Sequence, residues 1–189
     1  MQLESLLRRR AMIRAFRRDA IEDDKVWRIL RNAWRAPSAG HLEPQDFVVV
    51  RDEGVKKSLA EAALGQAFVG KAPVVIVVCS DTRRNVGRYG ERGRDFYSII
   101  DGSFASFIIL LSAVELGLGA CFVGAFDDER VSKVLGLPKE VRPIGIIPLG
   151  KPAEIPRRLN RQPLERRVHF NSYGNLFSRS RGDGTARLS

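Results

Sequence analysis

The hydropathy pattern of this 189-residue chain predicts an α/β or α+β sandwich, with helices covering a small central sheet. Three observations carry that prediction. Apolar, largely β-branched runs at 46–51, 73–80, 120–124 and 144–149 alternate with stretches of helical spacing. One helical stretch, 95–116, is apolar on nearly every side in its second half, as a central buried helix would be. Hydrophobic residues make up 44% and charged residues 29%, which suits one compact domain with a real core better than a disordered chain.

Taken in order, 3–10 has leucines at 3, 6 and 7, the spacing of a short helix facing a core. A second helix is predicted over 22–36, with acidic residues in its first turn and Val26, Ile29, Leu30 and Ala33 on one face. Pro37 ends it, because the residue before a proline is pushed out of the helical region. DFVVVR at 46–51 reads as a buried strand, 52–64 as a helix, and PVVIVVCS at 73–80 as the strongest strand in the chain. Residues 81–93, polar and rich in arginine and glycine, read as a loop or lid. The central helix at 95–116 ends at Gly117 and Gly119. A short strand at 120–124, an amphipathic helix at 127–135 and a strand at 144–149 follow. Beyond Gly150 come prolines and an arginine-rich arm with too little apolar content to fold alone. The expected organisation is one domain over 1–177 with a C-terminal arm from about 151, then a flexible tail at 178–189.

The net charge of +10 favours anionic partners: nucleic acid, acidic membranes or phosphorylated small molecules. Cys79 and Cys121 each lie in an apolar run, as free thiols of a reducing compartment would, and His41 and His169 are too far apart for zinc-type spacing, so no metal is expected. The N-terminus lacks the apolar stretch of a signal peptide, and the longest apolar run is broken by Ser106, Ser112 and Glu115. A cytoplasmic protein with no membrane partner is the expectation.

Three segments have chemical potential. In RRAMIRAF, Arg10 and Arg14 stand four apart, and guanidinium forks with nearby backbone amides suit phosphate oxygens. A basic surface turn would read the same in isolation. In APSAGHLEPQDF, small residues would let the backbone approach a flat ring, and Ser38 and His41 offer hydrogen bonds; an ordinary helix-to-strand connection is the alternative. In GLGACFVGAFDDERV, the junction at Gly124–Ala125 could present an unpaired amide to a ligand, or be a plain strand-to-helix turn. The Gly-rich phosphate-loop patterns are absent.

In this order and spacing, these segments resemble the FMN-dependent nitroreductase family. The KAPVVIVV strand, IGIIPLGKP and the closing RLNRQPLERRVHFN extend the resemblance from about residue 6 to 171. It implies an α+β three-layer sandwich with a small, mostly antiparallel sheet and a C-terminal arm exchanged in a homodimer. It also implies FMN at the dimer interface, NADH or NADPH as reductant, and a small oxidised acceptor such as a nitro compound or quinone reduced by a ping-pong mechanism. Arg10 and Arg14, with Ala11 and Met12 between them, match the grip on the FMN phosphate, and Arg161 in the arm matches a further basic position. Pro37, Ser38 and Ala39, followed by His41, match a loop that packs on the flavin, typically from the opposite subunit. Gly124 matches the amide at flavin N5, flanked by Val123 and Ala125, and Gln66 matches a side chain at the pyrimidine edge. No side chain is implied as catalytic, since the flavin carries the chemistry. Met12 stands where a serine is common, and His41 where an asparagine is common.

The resemblance leaves two other readings open. One keeps the fold but specialises the flavin chemistry to enone reduction, flavin cleavage or dehalogenation. The other is a basic nucleic-acid-binding module, weakened by the absence of aromatics interleaved with the basic clusters.

Overall fold

A computed structural model describes residues 2–156 and 160–176, which fall into two compact units divided between Pro156 and Arg157. The first unit contains α1 (Leu3–Arg9), α2 (Asp23–Trp34), β1 (Gln45–Val50), α3 (Glu53–Ala62), α4 (Ala67–Lys71), β2 (Val74–Asp81), α5 (Arg83–Arg92), α6 (Ser98–Glu115), β3 (Gly119–Ala120), α7 (Asp128–Leu135) and β4 (Val141–Gly150).

The four strands form one antiparallel sheet in the order β1-β2-β4-β3. Successive side chains of a strand point to opposite faces, and β2, buried along its whole length, shows the consequence. Its Val74, Ile76 and Val78 pack with Val26 and Ile29 of α2 and Ala105 and Ile109 of α6. Its Val75, Val77 and Cys79 pack with Leu59 of α3, Val69 of α4 and Val131 of α7. The result is the predicted α+β three-layer sandwich.

Local chemistry explains the helix ends. Asp52 and Asp127 each accept an amide of the first turn, from Val55 at 2.8 Å and Arg130 at 3.0 Å, and Gly136 closes α7 in the left-handed region at φ 63°. Lys56 is a fully buried lysine of α3. Its ammonium donates to the Ala72 carbonyl at 2.8 Å and to Glu53 at 2.7 Å, pinning the end of α4 to α3. α6 approaches the sheet closely through small residues: a Cβ at Gly102 would lie 2.8 Å from the Ile144 side chain. The helical run 83–115 is long and apolar enough to cross a membrane by composition, yet Ala105, Ile109, Leu110 and Ala113 are buried in the core.

Three expectations need correction. Residues 81–93 do not form a loop: they continue β2 and form α5, and a π turn at Gly93–Tyr97 feeds directly into α6. Glycine and arginine content suggested a loop, but burial of Asn85 and Gly93 decides the outcome. A Cβ at Gly93 would lie 2.5 Å from the Asn85 carbonyl oxygen, so only glycine allows the turn to close there. The strand expected at 120–124 shrinks to Gly119–Ala120, with Val123 making an isolated bridge to Ile146. The Phe122 amide points to the Met12 sulfur at 3.4 Å instead of a strand partner. Finally, α4 was not anticipated; at five residues it is too short to show a period.

The second unit, described over 160–176, holds one turn at Leu164–Arg166 and a bridge between His169 and Leu176, with the His169 and Tyr173 rings 4.4 Å apart. Arg161 lies in this unit. The tail expected at 178–189 lies outside the described residues.

Candidate functional site

After α1, the chain runs along the end of the sheet between β3 and the segment that leaves β4. The Ile13 amide donates to the Ala120 carbonyl at 3.0 Å, Arg17 to Lys151 at 2.9 Å, and Ala153 donates back to Ala15 at 2.9 Å. Met12 makes a parallel bridge to Ala120, and Phe16 an antiparallel one to Pro152. The first residues after Gly150 are therefore part of this framework. Glu154 accepts the amides of both Arg14 and Ala15, so those donors are engaged and not open to a ligand. The side chains of Arg10 and Arg14 remain: neither guanidinium has a carboxylate partner among the described residues. That of Arg14 lies 5.8 Å from the centroid of the Phe68 ring. Met12 directs its sulfur to the Phe122 amide, so it serves packing.

The chain after β3 borders the same framework. Val123 exchanges hydrogen bonds with Ile146 at 2.9 and 3.0 Å. Gly124 and Ala125 follow, exposed, and their amides have no partner among the described residues. The Gln66 amide nitrogen donates to the carbonyls of Ala63 at 2.9 Å and Ala125 at 3.0 Å, which fixes the orientation of the group. Its oxygen is left available as an acceptor. Beneath this turn the Phe122 ring sits over Gly145, where an added Cβ would lie 2.2 Å from Cε2, and against Gly124, where it would lie 3.1 Å from Cε1. Gly145→Ala should push the ring into the 122–125 turn and cost about 1–3 kcal/mol, read as a melting temperature several degrees lower.

The third predicted segment forms a tight loop. Ala39–His41 make one 3-10 turn, in which Gly40 and His41 have φ of 59° and 57°, and Glu43 follows at 47°. Such left-handed angles are costly for side-chain-bearing residues, and the loop is correspondingly tied down. Ser38 Oγ accepts the Glu43 amide at 2.9 Å, so this hydroxyl closes the loop. Arg84 donates to the Glu43 carbonyl at 2.8 Å. His41 is 89% exposed and lies 3.4 Å from Glu43. Asp101 of α6, 1% exposed, accepts the Ala39 amide at 3.0 Å and the Asn85 side-chain amide at 3.3 Å. Burial pushes the Asp101 carboxyl above its ordinary value, and the two hydrogen bonds oppose that shift.

Two groups therefore emerge within the first unit. Arg10, Arg14, Gln66 and Val123–Ala125 share the framework around β3, with Gln66 and Ala125 on the α3–α4–α7 side. Pro37–His41 are anchored to α5 and α6, on the other side, and no hydrogen bond or ion pair joins them to the first group among the described residues. Sequence reasoning missed Asp101 and Glu154. Asp101 had a signal, as the one charged residue in the run from Ser98 to Val114. Glu154 had none, because its role depends on the 10–17 segment lying alongside. The two cysteines are buried and free, and burial pushes the Cys79 thiol up to about 12. Among the described residues no cluster of metal-ligating side chains occurs.

Comparison with known proteins gives this geometry a context. The sequence model of the Nitroreductase family matches residues 7–71 and 60–151. The NADH dehydrogenase of Thermus thermophilus is 38% identical over 85% of this chain and 91% of its own length. The FMN reductase (NADPH) of Bacillus subtilis is 26% identical over 90% of this chain and 74% of its own length. Among solved structures, the NADPH:FMN oxidoreductase of Vibrio harveyi, complexed with NAD+, superposes with a TM-score of 0.82 at 27% identity. That match covers 92% of this chain and 79% of the other. These likenesses define the class, an oxidoreductase enzyme. More particularly, the chain belongs to the nitroreductase family.

Proposed function

We propose that this protein is an FMN-dependent oxidoreductase that takes reducing equivalents from NADH or NADPH and delivers them to a nitro compound, a quinone or a similar small oxidised acceptor. The observation that carries the reading is a matched donor set. The unneutralised guanidiniums of Arg10 and Arg14 and the unengaged amides of Gly124 and Ala125 stand on one framework around β3. FMN presents the complementary chemistry: a dianionic phosphate, ring acceptors and one ring N–H.

The donor chemistry of these residues suits that group. Arg10 and Arg14 hold the phosphate through charge-assisted hydrogen bonds, and the family resemblance also assigns Arg161 to FMN binding. Gly124, flanked by Val123 and Ala125, offers its amide to N5, and the Gln66 oxygen, fixed by the grip on its nitrogen, accepts from the pyrimidine edge. Bound FMN supplies the hydride-carrying chemistry, and the protein supplies binding and orientation. Reductant and acceptor take turns at one place, a ping-pong cycle. We place the enzyme in the cytoplasm, where its buried free thiols are stable, acting on small molecules and not on nucleic acid or a membrane.

The reading includes a homodimer with FMN at the interface, supported by the separation of the site residues into two groups with no hydrogen bond or ion pair between them among the described residues. In this reading a second copy brings the loop at Pro37–Ala39 to the β3 framework, as the family resemblance implies. The central helix supports this, because Phe104 and Phe107 are 46% and 44% exposed on a helix otherwise built for a core. The arm from about 151 and the body form one domain in this reading, with the arm embracing the partner.

The test is to purify the protein, record its visible spectrum, identify the released flavin by mass, and measure its mass in solution by sedimentation. The expected result is a yellow dimer carrying FMN. A colourless protein that does not take up added FMN would refute the proposal.

A further inference from the structure

Five arginines fall within α5 and the π turn after it, and three of them are neutralised. Arg83 makes two 2.8 Å hydrogen bonds to Asp81, Arg84 reaches Asp46 at 3.2 Å, and Arg94 reaches Asp95 at 2.8 Å. Arg88 and Arg92 have no carboxylate partner among the described residues, and both are exposed. Aromatic rings hold them instead. The Arg92 guanidinium carbon lies 4.4 Å from the Phe96 ring centroid and 5.4 Å from that of Tyr97, and Arg88 lies 5.5 Å from Tyr89. The Tyr89 and Tyr97 rings meet edge-on at 4.9 Å, so one aromatic cluster carries both cations.

Stacking occupies the face of a guanidinium and leaves donors along its edge; Arg92 spends its Nε–H on the Tyr97 hydroxyl at 3.3 Å and keeps its terminal N–H groups. Two such cations on one cluster repel each other until an anion arrives. The cluster is also locked to the Ser38–His41 loop. Arg88 donates to the Gly40 carbonyl at 3.5 Å, and a Cβ at Gly40 would lie 2.6 Å from the Tyr89 hydroxyl.

We propose that Arg88 and Arg92 form a phosphate-monoester subsite on the substrate side of the flavin loop. It reads either the 2′-phosphate of NADPH or the 5′-phosphate of FMN presented as an acceptor. The placement beside the substrate rests on the flavin reading of Pro37–Ala39 given above. A phosphate monoester suits the pair because it offers terminal oxygens to two forks and carries a charge near two at neutral pH.

Each candidate ligand has a counterpart that differs by that phosphate alone, which makes the test direct. Calorimetry with NADP+ and NAD+ on wild type and on the R88Q/R92Q double variant forms one arm. Steady-state KM values for FMN and riboflavin as acceptors form the other. The double variant should weaken NADP+ or acceptor FMN by about tenfold to a hundredfold, leaving the unphosphorylated counterpart and the bound FMN content unchanged. The arm that responds identifies the ligand. An equal loss within both pairs, or no loss in either, overturns the subsite. If the variant does not fold, wild type decides: a phosphate preference that shrinks as salt is raised supports the subsite, and no preference or a salt-independent one overturns it. Wild type that holds no FMN refutes the flavin reading, whereas the NADP+/NAD+ comparison still judges the phosphate site.

Discussion

Replacing both Arg10 and Arg14 by alanine should lower the affinity for FMN by about three orders of magnitude, while the melting temperature of the flavin-free protein stays nearly constant. Each guanidinium that meets a phosphate contributes about 1.5–3 kcal/mol through charge-assisted hydrogen bonds. Each single variant should therefore cost about tenfold to a hundredfold. Neither side chain pairs with a carboxylate among the described residues, so removing them leaves no buried charge exposed and little stability is lost. The backbone of the segment is held separately, by Ala120, Lys151 and Glu154, and survives either substitution. Titration of flavin-free protein with FMN, followed by flavin fluorescence, reads the effect. Unchanged affinity in both single variants would eliminate the phosphate grip.

Asp101 should give the largest effect on stability. Asp101→Ala strands the Ala39 amide and the Asn85 side chain without their shared acceptor, and a stranded buried donor costs about 1–3 kcal/mol. A total near 3 kcal/mol should lower the melting temperature by about 6–12 °C and free a loop whose left-handed residues need restraint. Asp101→Asn should behave differently. Its oxygen still accepts from Ala39, and its nitrogen faces Asn85, whose own amide oxygen is buried without a partner and turns to meet it. The cost should stay below about 1 kcal/mol near neutral pH.

The pH dependence separates the two roles of the carboxylate. Burial raises the pKa of Asp101 in the folded protein above the ordinary 3.8. Its contribution to stability is therefore complete below that value and is lost as pH rises through the folded pKa. Asparagine does not titrate, so the difference in melting temperature should move in favour of Asp101→Asn as pH increases from about 4 to about 8. A constant difference would show that the carboxylate is not held in a desolvated site.

How much was legible in the sequence depended on whether the signal was local. Val74–Asp81 and the apolar half of α6 announced themselves, because a fully buried strand and a central helix must be apolar over their whole length. The ordered segments around Arg10, Ser38 and Gly124 were enough to recognise the family, which the comparisons show. Residues 83–93 were misread because glycine lowers helix propensity and a polar run dense in arginine suggests a solvated loop. Packing of Asn85 and Gly93, and stacking of Arg92 on Phe96 and Tyr97, outweigh that preference.

The sequence by itself determined the three-layer α+β class, the free thiols and the family, since each follows from patterns written along the chain. Tertiary structure alone decided which groups are still available to bind. Only folding shows that Glu154 takes the Arg14 and Ala15 amides, that Met12 turns inward, that Asp101 fastens the Ala39 loop, and that Arg83, Arg84 and Arg94 are paired with carboxylates while Arg88 and Arg92 have none among the described residues. The physical reason is that hydrogen-bond donors and charges are satisfied by whatever lies within about 3 Å. In this fold those partners come from residues distant in sequence.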